Sequence, residues 1–301
     1  MVAVPAAAGA PPRPGPDQCP DQCPNQGYTK SYRRGLENWK TERFGSYNRL
    51  ECPDVRTADG VRVMWQRKGG NVHAFLLDDP AGLTLFDTLF DTDAHRVLAE
   101  IEAMGRQVTD LRHIVISHAH RSHIGGLARL KRLSGAAVLS HAWEADVIAG
   151  DRESQRVPIR PQRPVLAYAP VYYLQFGAAV GFGKHPPCLV DESIREGTKI
   201  GSIEVVHTPG HTPGHVSFWW PERGVLLAGD AIATYPLFSP GWPAFNLNLH
   251  QARDSLHKMI DIGPSFVGVG HGDPLTEDAT EKLRVMVKEA EAKGLLGRGP
   301  G

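Results

Sequence analysis

Three histidines stand close together directly after an apolar segment, in SHAHRSH at residues 117–123. In extended backbone, residues i and i+2 point to the same side, so His118 and His120 can converge on one cation. The turn into the following helix carries His123 round to the same place. Imidazole is the commonest metal ligand in proteins and suits zinc, and three on so short a segment supply most of a site. The spacing therefore predicts a metal site.

Three later segments place further metal-binding side chains at the ends of predicted strands. HTPGHTPGH, at residues 207–215, follows a strand, and its Pro-Gly pairs force tight turns that hold a histidine on a rigid loop. LLAGD ends on Asp230, and VGVGHG places His271 after another apolar run. A lone carboxylate at a turn is usually a surface residue, but beside these histidines Asp230 becomes a candidate ligand.

Five short motifs, taken in order along the chain, make the sequence resemble one known family. They are FDT at 86–88, HxHxxH at 118–123, HTPGHTPGH at 207–215, AGD at 228–230 and GHG at 270–272. With them the chain resembles the metallo-β-lactamase superfamily of hydrolases over roughly Val61 to Val285. The resemblance implies an α/β fold, a four-layer αβ/βα sandwich.

The resemblance also implies which residues would hold one or two zinc ions. The first zinc would be bound by His118, His120 and His211, and the second by His123, Asp230 and His271, with Asp230 bridging both.

Other polar residues near the motifs receive supporting roles. Asp87 matches a position usually beneath the metals, where a carboxylate orients ligand histidines through their free N–H groups. His207 and His215 have no ligand counterpart in the family pattern, so we expect them to be structural or to support the ligands. His113 and His141 stand beside apolar strand residues and are interpreted as ordinary buried or surface histidines.

One position departs from the family pattern. Where HxHxDH has an aspartate, this chain has Ser122. A neutral hydroxyl is a poor zinc ligand beside a carboxylate, so we expect the second site to bind more weakly, or a water to fill the gap. In the family that aspartate orients the nucleophile and receives its proton. Asp230 is the candidate to replace it in catalysis, and Ser122 itself is the second candidate for a catalytic role.

These residues predict a zinc-dependent hydrolase that cleaves a carboxylic ester or lactone. Zinc lowers the pKa of a bound water to about 7 and polarises a carbonyl, so a metal-bound hydroxide can attack at neutral pH. The Pro- and aromatic-rich span 151–187, with Trp242 and Phe245, is predicted to form the apolar wall of a pocket for a small-molecule substrate. The alternatives are a β-lactamase and a metal-binding protein that has lost catalysis. Oxygen chemistry would need iron in place of zinc.

Composition argues against several other functions. The 33 basic and 33 acidic side chains cancel, which indicates neither a nucleic-acid partner nor an anionic membrane partner. No apolar run approaches the roughly 20 residues that span a bilayer, and the Ala-rich start lacks a signal-peptide pattern. Four irregularly spaced cysteines indicate unpaired thiols in a reducing cytoplasm, with secretion as the alternative. A homo-oligomer is compatible with the sequence.

The elements that must position these motifs follow from hydrophobic periodicity. Residues 1–27 are predicted to be a flexible Pro-rich arm, and 28–301 a single domain with a lid or pocket insertion at about 151–190. Strands are predicted at 61–65, 72–77, 83–86, 111–117, 136–140, 203–207, 216–220, 225–228 and 266–270. Helices are predicted at 93–104, 125–133, 143–149, 249–262 and 277–292. This order predicts two mixed sheets packed face to face, with helices outside.

Overall fold

The computed structural model describes residues 55–56, 61–79, 82–154, 169, 171–173, 184–242 and 245–297. These residues belong to the unit Pro53–Gly301. The arm predicted at 1–27 and most of the insertion predicted at 151–190 lie outside the described residues, so both stay predictions. Among the described residues, Cys188 is a buried free thiol. No described helix is long and apolar enough to cross a membrane.

Within the described residues, the first sheet has seven strands in the order β1-β2-β3-β4-β5-β6-β7. Their bounds are β1 Val55–Arg56, β2 Val61–Gln66, β3 Val72–Asp79, β4 Gly82–Phe86, β5 Leu111–Ile116, β6 Ala137–His141 and β7 Glu192–Ile194. Strands β1 to β4 are antiparallel, which includes the predicted meander, and β4 to β7 are parallel. The sequence does not predict β7, because three residues are too few to show a strand's alternation.

The second sheet, over the described residues, has five strands in the order β12-β11-β10-β9-β8. Their bounds are β8 Lys199–Ile200, β9 Ile203–His207, β10 Val216–Trp220, β11 Val225–Leu227 and β12 Phe266–Gly268. Strands β11 and β12 are parallel, and the other neighbours are antiparallel. Both sheets are therefore mixed, as the sequence predicts.

An apolar core fills the space between the two sheets. Phe86 of β4 packs on Phe218 of β10, with ring centroids 4.8 Å apart. Val115 of β5 lies in the same buried cluster as Val205 of β9 and Leu227 of β11. Full burial of each such side chain stabilises the fold by roughly 1.5–3 kcal/mol, so this core holds the sheets face to face.

Helices cover the outer faces of both sheets. Their bounds are α1 Lys68–Asn71, α2 His95–Ala103, α3 Arg121–Ile124, α4 Leu127–Ser134, α5 Ala142–Ala149, α6 Leu249–Ile262 and α7 Ala279–Ala292. Val97, Leu130 and Ile148 join α2, α4 and α5 to a second buried cluster on the first sheet. On the other side α6 and α7 pack together and bury Met259 and Leu283. The layers confirm the predicted αβ/βα sandwich.

The helical region after the histidine motif differs from the prediction of one helix at 125–133. The single turn α3 precedes α4, and Gly125 and Gly126 separate the two. A Cβ on Gly125 would lie 2.1 Å from the carbonyl oxygen of Phe90. The chain therefore needs glycine where it passes Phe90, and His123 lies on its own turn.

The segments predicted to bind metal all follow strand ends. The SHAHRSH segment follows β5, and Asp87 follows the adjacent parallel strand β4. In the second sheet, His211 follows β9, Asp230 follows β11 and His271 follows β12. Ligand sites in open α/β sheets lie beyond the carboxyl ends of such strands.

Candidate metal centre

The first cluster brings together donor atoms of His118, His120, His211 and Asp230. His118 Nε2 lies 3.0 Å from His120 Nδ1, which lies 3.0 Å from His211 Nε2. Asp230 Oδ2 lies 3.6 Å from His118 Nε2 and 3.4 Å from His211 Nε2. His120 is half-buried, and the other three residues are buried. One carboxylate oxygen and three imidazole nitrogens thus face one point.

The second cluster consists of His123, Asp230 and His271, all of them buried. His123 Nε2 lies 3.4 Å from His271 Nε2 and 3.2 Å from Asp230 Oδ1. Asp230 Oδ2 lies 3.2 Å from His271 Nε2. Asp230 therefore lies between the two groups of histidines, in the position that the resemblance implies for a bridging carboxylate.

The donor spacing and the surroundings of one carboxylate oxygen both fit metal ions. Ligands about 2.0–2.1 Å from a tetrahedral ion are about 3.3 Å apart, and the atoms of the first cluster lie 3.0 to 3.6 Å apart. Asp230 Oδ1 is buried and accepts no hydrogen bond among the described residues, and its neighbour His123 Nε2 lies 3.2 Å away. A buried carboxylate oxygen that accepts no hydrogen bond is costly, and a cation beside it lowers that cost.

Partners behind four of the histidines hold the rings in place. Their Nδ1 contacts are His118 to Ser117 Oγ at 3.0 Å, His123 to Asp87 Oδ2 at 2.8 Å, His211 to Asn246 Oδ1 at 3.1 Å and His271 to the Gly70 carbonyl oxygen at 2.8 Å. In each of the four rings Nε2 is the atom that faces the clusters. When Nδ1 donates outward, the lone pair stays on Nε2, which is the form that binds metal.

Asp87 has the supporting contacts expected of it. Its Oδ2 accepts from His123 Nδ1 and from the Ser117 hydroxyl, the latter at 2.7 Å, and its Oδ1 accepts from the Ser117 N–H at 2.8 Å. The φ of Asp87 is +60°, a left-handed conformation that aspartate adopts more readily than most residues. The turn after β4 thus points this carboxylate at the histidine motif.

Burial and neighbouring charges set the protonation of the ligand candidates. Burial lowers the pKa of His118 and His211 well below 6.5 and that of His120 to about 4, so these rings are neutral and can bind metal. At His123 burial acts in the same direction, but Asp230 and Asp87 outweigh it and raise the pKa to about 10. The two carboxylates favour positive charge at this place, and a metal cation supplies it.

Comparison with known proteins agrees with this geometry, because a family model for the metallo-beta-lactamase superfamily matches residues 67–271. The chain belongs to the metallo-beta-lactamase superfamily. It is similar to the uncharacterized protein YobT of Bacillus subtilis, at 27% identity over 230 residues, which cover 73% of this chain and 91% of YobT. It is also similar to a hydroxyacylglutathione hydrolase of Rhodospirillum rubrum, at 28% identity over 219 residues, covering 68% and 67% of the two chains.

Solved structures of metallo-beta-lactamase proteins share the fold. A metallo-beta-lactamase family protein of Thermus thermophilus superposes with a TM-score of 0.56 at 24% identity, covering 78% of this chain and 79% of that one. The predicted family, fold and enzyme class, a metal-dependent hydrolase, are confirmed. The donor clusters and the family together indicate a metal ion as cofactor.

Ser122 stands where the metallo-beta-lactamase pattern has its aspartate. The residue is half-buried on α3, directly before His123. The first cluster offers four donor residues, whereas the second offers three, of which Asp230 is shared. Fewer protein donors at the second position are the reason to keep the prediction of weaker binding there.

His207 and His215 lie outside both donor clusters of the described residues. His207 stacks on His141, with ring centroids 4.7 Å apart, and its Nε2 donates to the Pro213 carbonyl oxygen at 3.0 Å. His215 is buried, and its Nε2 accepts a hydrogen bond of 3.1 Å from the Asp230 N–H. His207 therefore makes packing and backbone contacts away from the clusters, and His215 supports the backbone of Asp230.

The sequence does not single out Glu144, a third buried carboxylate near the centre. It is the third residue of α5, where a glutamate usually caps the helix or faces solvent. Its oxygens instead accept hydrogen bonds from the loops that carry His118, His120 and His211. In the sequence, Glu144 is recognisable only as a glutamate in the first turn of a helix. Many helices have such a glutamate as a cap, so the sequence does not reveal its contacts with the histidine loops.

Aromatic side chains line one side of the centre. Trp242 stacks on His271 with ring centroids 3.9 Å apart, and Phe245 meets the His120 ring edge-on at 6.0 Å. Tyr172, in the described part of the predicted insertion, packs against the same apolar cluster as Trp242 and Phe245. These residues form an apolar surface beside the donor clusters, and the predicted wall of a substrate pocket stays a prediction.

Proposed function

We propose that the chain is a zinc-dependent hydrolase that cleaves a carboxylic ester or lactone of a small-molecule substrate. The observation that carries this proposal is the convergence of five histidines on Asp230, whose Oδ1 is buried and accepts no hydrogen bond among the described residues. The donors are imidazole nitrogens and one carboxylate, the ligand set that zinc prefers when no cysteine is present. Bound zinc would polarise the carbonyl and activate a water.

The chain's own residues would orient the reacting groups and handle the proton. Asp230 belongs to both clusters, so its carboxylate is placed to accept the proton of an attacking water. His118, His120 and His211 surround the same point and are neutral, so they add no charge that would compete with a metal ion. Ser122 is proposed to hold a water in the space that a carboxylate fills in the family pattern.

The aromatic wall favours an apolar acyl or lactone group. Trp242 and Phe245 contact the outer sides of His271 and His120, so a substrate carbonyl at the centre would have its carbon chain against these rings. Apolar surface buried in this way contributes about 25 cal/mol per Å² to binding. The similar protein from Rhodospirillum rubrum is named a hydroxyacylglutathione hydrolase, which favours an acyl thioester as the second candidate.

A substrate panel with controlled metal content tests the proposal. The metal-free chain is assayed with nitrophenyl esters of increasing acyl length, lactones, acyl thioesters and nitrocefin, before and after addition of zinc. We expect zinc-dependent turnover of esters or lactones that improves with acyl length. Turnover of nitrocefin alone would replace the proposal with a β-lactamase. Tight zinc binding without turnover of any substrate would indicate a metal-binding protein.

A further inference from the structure

Glu144 accepts a hydrogen bond from the backbone of the first histidine loop, the loop that carries His118 and His120. The side chain leaves α5 and is 3% exposed. Its Oε2 accepts a hydrogen bond of 2.9 Å from the N–H of Ala119. Ala119 lies between His118 and His120, so a shift of this N–H moves both histidines.

The other oxygen of the same carboxylate holds the second histidine loop. Oε1 of Glu144 accepts from the Thr212 hydroxyl at 2.7 Å and from the Gly214 N–H at 2.9 Å. Thr212 directly follows His211 in the chain. A Cβ on Gly214 would lie 2.7 Å from Oε1, so glycine is needed for this close approach. One carboxylate therefore joins two loops that are distant in sequence.

The Glu144 carboxylate has neutral partners in these contacts. Two backbone N–H groups and one hydroxyl donate to it, and its two oxygens supply the acceptors. Arg152 forms its ion pair with Asp146. That carboxylate raises the pKa of Arg152, and the nearby Glu144 raises it further.

We propose that Glu144 is a positioning residue of the metal centre. Its carboxylate holds the loops of His118, His120 and His211 at the spacing that suits the first metal. Groups outside the ligands that orient them typically contribute about 10- to 100-fold to metal affinity, and we expect an effect of that order here. The inference rests on the proposed metal-dependent function.

The test compares Glu144→Gln with the unaltered chain. Glutamine keeps the size of the side chain, but its amide nitrogen cannot accept, so one of the two loops loses its acceptor. Zinc affinity is measured by competition with a chromogenic chelator, and the geometry of the first position is followed by the visible absorption of bound Co²⁺. We expect about 10- to 100-fold weaker zinc binding and an altered Co²⁺ spectrum.

Two further variants separate positioning from general stability. Thr212→Val removes one donor and leaves the carboxylate, so a smaller loss of about 2- to 10-fold is expected, and it decides the matter if Glu144→Gln does not fold. Ser255→Ala removes a buried hydrogen bond of 2.8 Å to the Pro209 carbonyl oxygen, at the start of the same loop. It should lower the melting temperature without changing the Co²⁺ spectrum.

Three outcomes overturn the inference. Unchanged zinc affinity and an unchanged Co²⁺ spectrum in Glu144→Gln, or in Thr212→Val where only that variant folds, would show that the contact does not position the ligands. Equal losses of affinity in Ser255→Ala would reduce the effect to stability. If the unaltered chain binds metal but hydrolyses no substrate, the proposed function fails while the role of Glu144 is still measured. If the unaltered chain binds no metal, both fail.

Discussion

Replacement of His215 should separate the support of Asp230 from metal ligation itself. His215 Nε2 accepts from the Asp230 N–H at 3.1 Å, so Nδ1 carries the proton and donates to Thr208 Oγ1 at 2.9 Å. The Thr208 hydroxyl is 2.9 Å from Ser217 Oγ, which donates to the Ala228 carbonyl oxygen at 3.3 Å. The network thus begins and ends in the turn that carries Asp230. A Cβ on the intervening Gly229 would lie 2.8 Å from His215 Nε2, so the contact is close.

Two amide variants divide the functions of the ring. His215→Asn places its amide near the position of Nδ1 and can serve Thr208, but it leaves the Asp230 N–H without an acceptor. His215→Gln reaches the position of Nε2 and can accept from that N–H. A buried donor without a partner costs about 1–3 kcal/mol. We therefore expect the metal-free Asn variant to be less stable than the Gln variant by about 1–3 kcal/mol.

Urea unfolding of chelator-treated protein measures this difference, and zinc competition measures its effect on the centre. Burial lowers the pKa of His215 to about 4, so the unaltered ring is a neutral acceptor at the assay pH near 7. Metal affinity should fall in the same order, with Asn weaker than Gln. Equal stability and equal zinc affinity in the two variants would refute the role assigned to Nε2.

Three further predictions concern ligands and pH. His211→Ala should abolish tight zinc binding and activity, whereas His207→Ala should be much milder; equal metal loss in elemental analysis would show that the wrong histidine was chosen. Ser122→Asp should raise the affinity for a second metal, measured by calorimetric titration and by stoichiometry after dialysis; two equally retained ions in the unaltered chain would contradict the weak second site. Burial, with help from His271, lowers the pKa of His73 from 6.5 to about 3. Between pH 6.5 and about 3, the unfolded chain therefore carries a proton on His73 that the folded chain does not. As the pH falls through this range, the free energy of unfolding of the metal-free protein should decrease by at most about 1.4 kcal/mol per pH unit. In His73→Asn, which keeps a donor for the Asn71 carbonyl oxygen, this slope in urea titrations should be smaller.

Local sequence was sufficient for the main elements and the histidine motifs. A strand followed by alternating histidines predicts convergent rings, and His118 Nε2 does lie 3.0 Å from His120 Nδ1. The longer strands and helices could be predicted because a buried face repeats over several turns or alternations. The two-residue β8 has no such repeat, so pairing with β9 alone defines it.

The contacts behind the ligands depend on the tertiary structure. Nothing in HTPGHTPGH distinguishes His207 from His215 as rings, yet one stacks on His141 and the other holds the Asp230 backbone. The difference arises because β9 and β10 are antiparallel neighbours, with His207 paired to Val216. The pairing of these strands within the sheet therefore decides that His207 contacts His141 and that His215 contacts the turn of Asp230.

The sequence by itself determined the residue types at the strand ends and, through the spacing of its motifs, the family and the chemistry of the donors. The tertiary structure decided which nitrogen of each ring faces the centre, that Asp230 lies between two clusters, and that Glu144 joins loops 25 and 70 residues away. The physical reason is the range of the interactions. Backbone conformation depends on near neighbours in the chain, and the burial of one face of a helix or strand produces a periodic pattern of apolar residues in the sequence. A hydrogen bond between distant segments has no such pattern, because it forms only when packing brings its two partners together.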